Sequence, residues 1–309
     1  ALYLAQQNPQ LAAETLIIEA KEHPRPKLCG GGVTVHGEEQ LDALGLEIDA
    51  QAFIVDRIVF RLGQQEFDVS QPNAMRVFER AAFDAAIAQA AEARGLCIHT
   101  NERVLDVTPT DDGVELKTNH ATYHARVVVA ADGANSIVRR KIGIRSQVGV
   151  ARLLRILTPR ETNDNYFFDT KTAVFDFSCV QRGVQGYMWD FPCYVDGQAC
   201  MNRGIFDSRI APQPMLERKH GLFKNVFADA LRERDLEPEN IPLEGHPVRW
   251  FDPKAEFSRP NILLTGDAAG VDPLFAEGIS YAMEYGAIAA AAIQDAFARG
   301  DYAFTAYRQ

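Results

Sequence analysis

The sequence predicts an α/β protein in which a Rossmann-like dinucleotide-binding domain is discontinuous, assembled from separated stretches of chain, and carries an inserted β-rich α+β domain. Short apolar runs suited to buried parallel strands stand near both ends, at residues 15–19 (TLIIE) and 261–265 (NILLT). Helix-forming sequence accompanies both. The middle, residues 144–250, reads as mainly β, with strand candidates at 166–180 and 183–191 and one helix at 215–234.

The other elements follow in chain order. Residues 1–7 are helix-like and are stopped by Asn8-Pro9. Residues 76–94 form an amphipathic pattern in which Val77, Ala81, Phe83, Ile87 and Ala91 recur near helical spacing, ended by Gly95. Strands are expected at 97–107, 113–118 and 121–131, with Asp111-Asp112-Gly113 as a hairpin turn. An alanine-rich helix at 278–298 comes last.

Composition excludes several classes. The net charge of −10 over 309 residues disfavours nucleic acid, whose phosphates need a basic patch. No apolar run reaches the roughly 18 residues that span a bilayer. The best stretch, 287–293, is interrupted by Gln294 and Asp295. No signal-peptide pattern opens the chain, so a cytoplasmic location is expected. The five cysteines (Cys29, Cys97, Cys179, Cys193 and Cys200) are odd in number and lack a C-x-x-C pair. A disulfide framework or a metal site is therefore not expected.

Four pieces carry chemistry. A helix, a loop and a buried strand ending in Glu19 match the second half of a βαβ dinucleotide unit, where an acidic residue binds a ribose hydroxyl. A solvent-facing strand end is the plain alternative for Glu19. The glycine-rich turn of such a unit does not occur in this sequence, and Glu19 is well placed for the role if that turn lies just upstream of Ala1. Next, Cys29-Gly30-Gly31-Gly32 lets backbone pass close to something flat or charged; a flexible loop is the alternative. Third, a strand delivers Asp132-Gly133, followed by Ser136 and Arg139 at a helix start. Asp-Gly alone would be a turn; the full D-G-x-x-S-x-x-R spacing suits a ligand crevice. Fourth, Gly266-Asp267-Ala268 follows NILLT, and Gly278 precedes the long helix, whose amino end offers free N–H groups. Tyr187, Trp189 and Phe191 would share one strand face, while Met188 and Asp190 face away and Pro192 limits the strand. On its own, that face could be ordinary core.

The Arg80-Ala81-Ala82-Phe83-Asp84 run, the D-G-x-x-S-x-x-R run and Gly266-Asp267 resemble the FAD-binding motifs of the para-hydroxybenzoate hydroxylase superfamily. Cys29-Gly30-Gly31 and Tyr187 to Pro192 resemble the geranylgeranyl reductase family within it. The resemblance covers nearly the whole chain. It implies an FAD-binding domain from residues 1–48, 73–144 and 256–309, and a substrate-binding domain from 49–72 and 145–255. It further implies that Glu19 binds the adenosine ribose, Arg80 contacts FAD, Asp132 lies near the pyrophosphate or ribityl chain, and Asp267 binds the ribityl hydroxyls. Gly266 would allow close approach there, Gly278 and Ile279 would offer N–H groups to the isoalloxazine, and Cys29 and Gly30 would lie close to it. Tyr187, Trp189 and Phe191 would line a channel for an apolar polyprenyl chain.

The activity so implied is saturation of polyprenyl C=C bonds by an FAD-dependent reductase. The redox step belongs to the flavin; Cys29 and Tyr187 are weak candidates for the proton donor. An aromatic-ring monooxygenase on the same fold is the alternative, and a non-catalytic flavin- or lipid-binding protein the third reading. The electron donor would be NAD(P)H or a small redox protein, since no second dinucleotide turn is visible. An apolar substrate is compatible with peripheral membrane contact.

Overall fold

The computed structural model describes residues 1–144, 150–211 and 222–308. Its largest sheet has eight strands, in the order Glu244–Arg249, Val150–Pro159, Gln198–Asp207, Gly186–Val195, Thr172–Asp176, Ala52–Leu62, Gln65–Phe78 and Gly32–Thr34. Neighbours run antiparallel except Thr172–Asp176 and Ala52–Leu62, which are parallel. The dinucleotide-type elements stand apart. Leu16–Ile18 pairs in parallel with Cys97–His99, and Val128–Ala130 with Ile262–Leu264.

Alternation sorts the large sheet into two faces. One buries Tyr187, Trp189, Phe191, Leu153 and Val248 in a shared core. The other sets Leu154, Ile156, Met188 and Ile205 against Phe223, Val226, Phe227 and Leu231, on the helix Leu222–Arg232. That helix falls within the one expected at 215–234; the residues before it, 212–221, lie outside the described ones.

The strand Ile262–Leu264 is fully buried, as the NILLT run predicts. The last helix spans Ile279–Arg299 and stops at Gly300, in the left-handed region at φ 67°. Asn8 does more than stop the first helix: its side chain accepts from Leu11 N at 3.1 Å and caps a second one, Pro9–Ala13.

Other expectations need correction. The strands expected at 97–107 and 121–131 each divide in two, as Cys97–His99 with Val104–Thr110 and Thr122–Ala125 with Val128–Ala130, because the halves pair in different sheets. The helix predicted from residue 76 starts at Arg80 (Arg80–Ala93). Residues 76–78 end a long strand, where Arg76 and Val77 pair with Val33 and Gly32 on one side and with Ile54 and Phe53 on the other. Sheet pairing there overrides a helical period that Val77 meets by coincidence. The strand expected at 166–180 shrinks to Thr172–Asp176, flanked by the helix Asn165–Asp169 and a 3₁₀ segment. Pro192 does not limit its strand, which continues to Val195. Beyond Asp190 this strand has lost its Thr172–Asp176 partner and pairs only with Gln198–Asp207, so Pro192 interrupts no second ladder.

Among the described residues no His, Cys, Asp and Glu group is arranged to hold a metal ion, and no helix is long and apolar enough to cross a membrane. The five cysteines are free.

Candidate functional site

The glycine run is seated on the aromatic face. Asn202 Nδ2 donates to the carbonyls of Cys29 and Gly30 at 2.9 and 3.1 Å, while Asn202 Oδ1 accepts from Trp189 Nε1 at 3.0 Å. A Cβ on Gly30 would come 3.1 Å from the Phe191 ring. Gly31 has φ 79°, and a Cβ there would overlap the Phe78 carbonyl, so only glycine suits the position. The loop and the wall are thus one unit. Asn202 was not singled out from sequence; the clue was a polar pair, Asn202-Arg203, inside an apolar strand.

The charged candidates are linked through residues 19–29. Glu19 pairs with Arg25 at 3.4 Å, and Arg25 reaches Asp84 at 3.6 Å. Asp84 holds Arg80 at 2.8 Å. Lys27 lies 3.6 Å from Asp267. Burial opposes the charge of Arg80, yet Cys29 and Asp84 beside it hold its pKa above the ordinary value. His246 feels this cluster as well. Burial and Lys27 pull its pKa down, with Asp267 opposing and Arg80 adding. Its Nε2 is out of contact with water and has no hydrogen-bond partner among the described residues.

Gly266, buried and at φ 54°, opens the turn that carries Asp267. A Cβ on Gly278 would stand 3.5 Å from Asp267 Oδ1, so that carboxylate sits beside the start of the long helix. Gly278 is the N-cap of this helix, which has no side-chain cap, and Ile279 packs with Val33, Phe78 and Phe83. Asp132 serves its own helix: Oδ2 accepts from Ile137 N at 2.6 Å and Val138 N at 3.1 Å. Ser136 caps the same turn. Thr265 N bonds Ala130 O at 2.9 Å, so Asp132 and Asp267 leave the same end of neighbouring parallel strands. Close by, Arg249 reaches the Ala134 carbonyl; burial, then Arg139, press its pKa to about 10.

Tyr187 donates to the Phe275 carbonyl, and burial pushes its pKa far up, so the phenol stays neutral. Phe275 lies against Tyr187, Phe175, Phe177 and Phe60 at 6.1–6.4 Å between ring centroids. Phe60 in turn stacks on Phe67, which is 66% exposed. A continuous aromatic path therefore runs from the surface to Trp189. A 430 Å³ depression at the edge of the sheet is lined by Arg152, Leu153, Leu154, Phe223, Lys224 and His246 among others.

These residues suit a flavin nucleotide. The glycines leave room for flat or charged groups beside Gly30 and Gly278, the Asp267 carboxylate suits polyol hydroxyls, and the His246 nitrogen lacks a partner among the described residues.

The model of the family described as FAD binding domain matches residues 10–182. The chain is 28% identical over 304 residues to digeranylgeranylglycerophospholipid reductase 2 of Methanosphaera stadtmanae, covering 94% of this chain and 74% of that protein. It is 28% identical over 304 residues to menaquinone reductase of Mycolicibacterium smegmatis, covering 90% and 69%. A crystal structure of a geranylgeranyl bacteriochlorophyll reductase-like protein from Thermoplasma acidophilum shares the fold, with TM-score 0.77, 23% identity, and 98% and 77% coverage. The seating of the glycine loop, the Asp267 turn and the match over more than half the chain lead to one conclusion: this chain belongs to the FAD binding domain family, as an FAD-dependent oxidoreductase related to the geranylgeranyl reductases.

Proposed function

We propose that this protein is a reductase that uses FAD to saturate C=C bonds of a polyprenyl substrate. The observation that carries the reading is the Asn202 bridge, which ties the Cys29–Gly30 carbonyls to Trp189 and so holds the glycine loop against an apolar aromatic wall. The aromatic path from exposed Phe67 inward supports an elongated apolar substrate, and suits peripheral contact with a lipid surface. The named activities of the two reductase relatives support the same class.

In this reading residues 1–48, 73–144 and 256–309 form the FAD-binding domain, and 49–72 with 145–255 the substrate-binding domain. Glu19 takes the adenosine ribose, Arg80 the cofactor's polar middle, Asp267 the ribityl hydroxyls, and Asp132 orders the turn beside them. Gly266, Gly278 and Ile279 bring backbone close to the ring, as do Cys29 and Gly30. Bound FAD supplies the reducing electrons. The chain's own residues orient the substrate along Tyr187, Trp189 and Phe191 and exclude water from the wall. With its hydroxyl committed to Phe275, Tyr187 is the weaker proton donor of the two candidates; Cys29, beside Arg80, is the better placed. NAD(P)H or a small redox protein would renew the electrons.

The test is anaerobic photoreduction of the FAD-loaded protein followed by mixing with a geranylgeranyl lipid. Reoxidation of the flavin with appearance of saturated product supports the reading. Turnover that requires oxygen and yields a hydroxylated product would overturn it in favour of a monooxygenase.

A further inference from the structure

We propose that His246 is a cofactor-binding residue, whose imidazole hydrogen-bonds an uncharged polar group of the bound FAD, either a ribityl hydroxyl or the carbonyl and N–H edge of the isoalloxazine. This rests on the reading that the space between the Cys29 loop and Asp267 holds the cofactor.

His246 lies on the edge strand Glu244–Arg249, opposite Leu153. Side chains two apart on a strand share a face. Val248 therefore marks the side to which His246 points, and Val248 packs into the core that contains Tyr187 and Trp189. The imidazole thus stands on the side of the sheet that carries the aromatic wall. The charges acting on it come from three other elements: Lys27 in the loop before the glycine run, Asp267 in the turn after Ile262–Leu264, and Arg80 at the head of its helix. No sequence pattern links these residues; they meet only in the folded chain.

The Nε2 atom is what demands a partner. It is shielded from water, yet nothing among the described residues bonds to it. Leaving such an atom unpaired is costly, so native proteins pair nearly all of them. Lys27, Asp267 and Arg80 are the charged groups that act on the imidazole, and a cofactor held among them is the partner assigned to this nitrogen.

The chemistry of that ligand group follows from the surroundings. Lys27 and Arg80 already provide positive charge for phosphate oxygens. Burial keeps the imidazole neutral, with one N–H donor and one lone pair. Nε2 then presents either an N–H or a lone pair without charge, and a hydroxyl or an amide-like ring edge can meet either one.

The test compares wild type, His246→Phe and His246→Asn as apo-proteins, titrated with FAD and separately with ADP, with far-UV circular dichroism and thermal melts as fold controls. Loss of one hydrogen bond predicts about tenfold weaker FAD binding for His246→Phe, recovery to within about threefold for His246→Asn, and unchanged ADP affinity. A shift of the bound flavin's visible bands in the Phe variant would accompany this. If the Phe variant does not fold, His246→Ala, which only removes atoms, takes its place with the same expectation. A folded Phe or Ala variant with wild-type FAD affinity and spectrum overturns the assignment. Wild type that takes up no FAD overturns the cofactor-site reading on which the assignment stands, a result distinct from the first.

Discussion

Lys27 Nζ stands 3.6 Å from Asp267 Oδ2, joining the loop before the glycine run to the turn that follows the buried strand Ile262–Leu264. With Arg25 paired to Glu19 a few residues earlier, one short segment bridges the two carboxylates assigned to opposite ends of the cofactor.

Both partners of the Lys27–Asp267 pair are about a quarter exposed. Its worth to folding is therefore small, at most about 1 kcal/mol. Asp267→Ala is expected to leave thermal stability nearly unchanged while weakening FAD binding about tenfold or more, since bonds to a charged group are the stronger ones. Calorimetric FAD titration beside a thermal melt separates the two effects.

Asn202→Leu would strand the Trp189 N–H and two backbone carbonyls in a nearly dry site. The expected cost is about 2–3 kcal/mol, set by desolvated polar groups left unpaired. Urea unfolding followed by tryptophan emission measures the loss, and a red-shifted native spectrum would report a loosened Trp189.

Gly204→Ala places a methyl where the Trp189 ring and the Leu154 carbonyl already lie. Overpacking of this kind costs about 1–3 kcal/mol, and more when backbone blocks relief. Altered near-UV circular dichroism with weakened binding of a prenyl substrate is expected, because the wall itself must shift.

Asp190, on the side of the wall strand away from the aromatics, is held by Arg203 at 2.9 Å and by Arg234 at 2.6 Å. Burial alone would raise its pKa, but Arg234 and Arg203 outweigh it and hold the carboxyl below the ordinary value. Asp190→Asn takes the carboxylate from Arg234 and leaves the buried Arg203 with Asp164 as its one remaining acidic partner, at a cost of about 3 kcal/mol, the low end for a broken buried pair. Because the folded pKa is depressed, the carboxylate's contribution is complete above the unfolded value of about 4 and fades as pH falls through the lower folded value. The stability gap between wild type and Asp190→Asn should be flat at neutral pH and narrow only in acid.

His246 titrates with the same sign in a higher pH window. Its folded pKa is lowered, so below about 6.5 the unfolded chain binds a proton that the folded chain resists. Wild-type stability should fall with acid across the window just below that value, and His246→Phe should lack that part of the slope. Chemical denaturation at a series of pH values reads the difference.

The sequence by itself determined whatever depends on local period and local chemistry. The buried strand before Asp267, the long helix after Gly278 and the shared face of Tyr187, Trp189 and Phe191 were all legible, because strand and helix periods are written in neighbouring residues. Tertiary structure alone decided what depends on register between distant segments. Residues 76–78 became strand because Val33 and Ile54 flank Arg76. Asn202 became a bridge because it lies opposite Phe191, and Asp190 became a buried ion site because Arg234 closes over it from the helix end. The same holds for His246, whose surroundings come from residues that are remote in sequence. Hydrogen bonds and charge pairs act over a few ångströms of space, and chain order carries no record of which distant side chains will meet there.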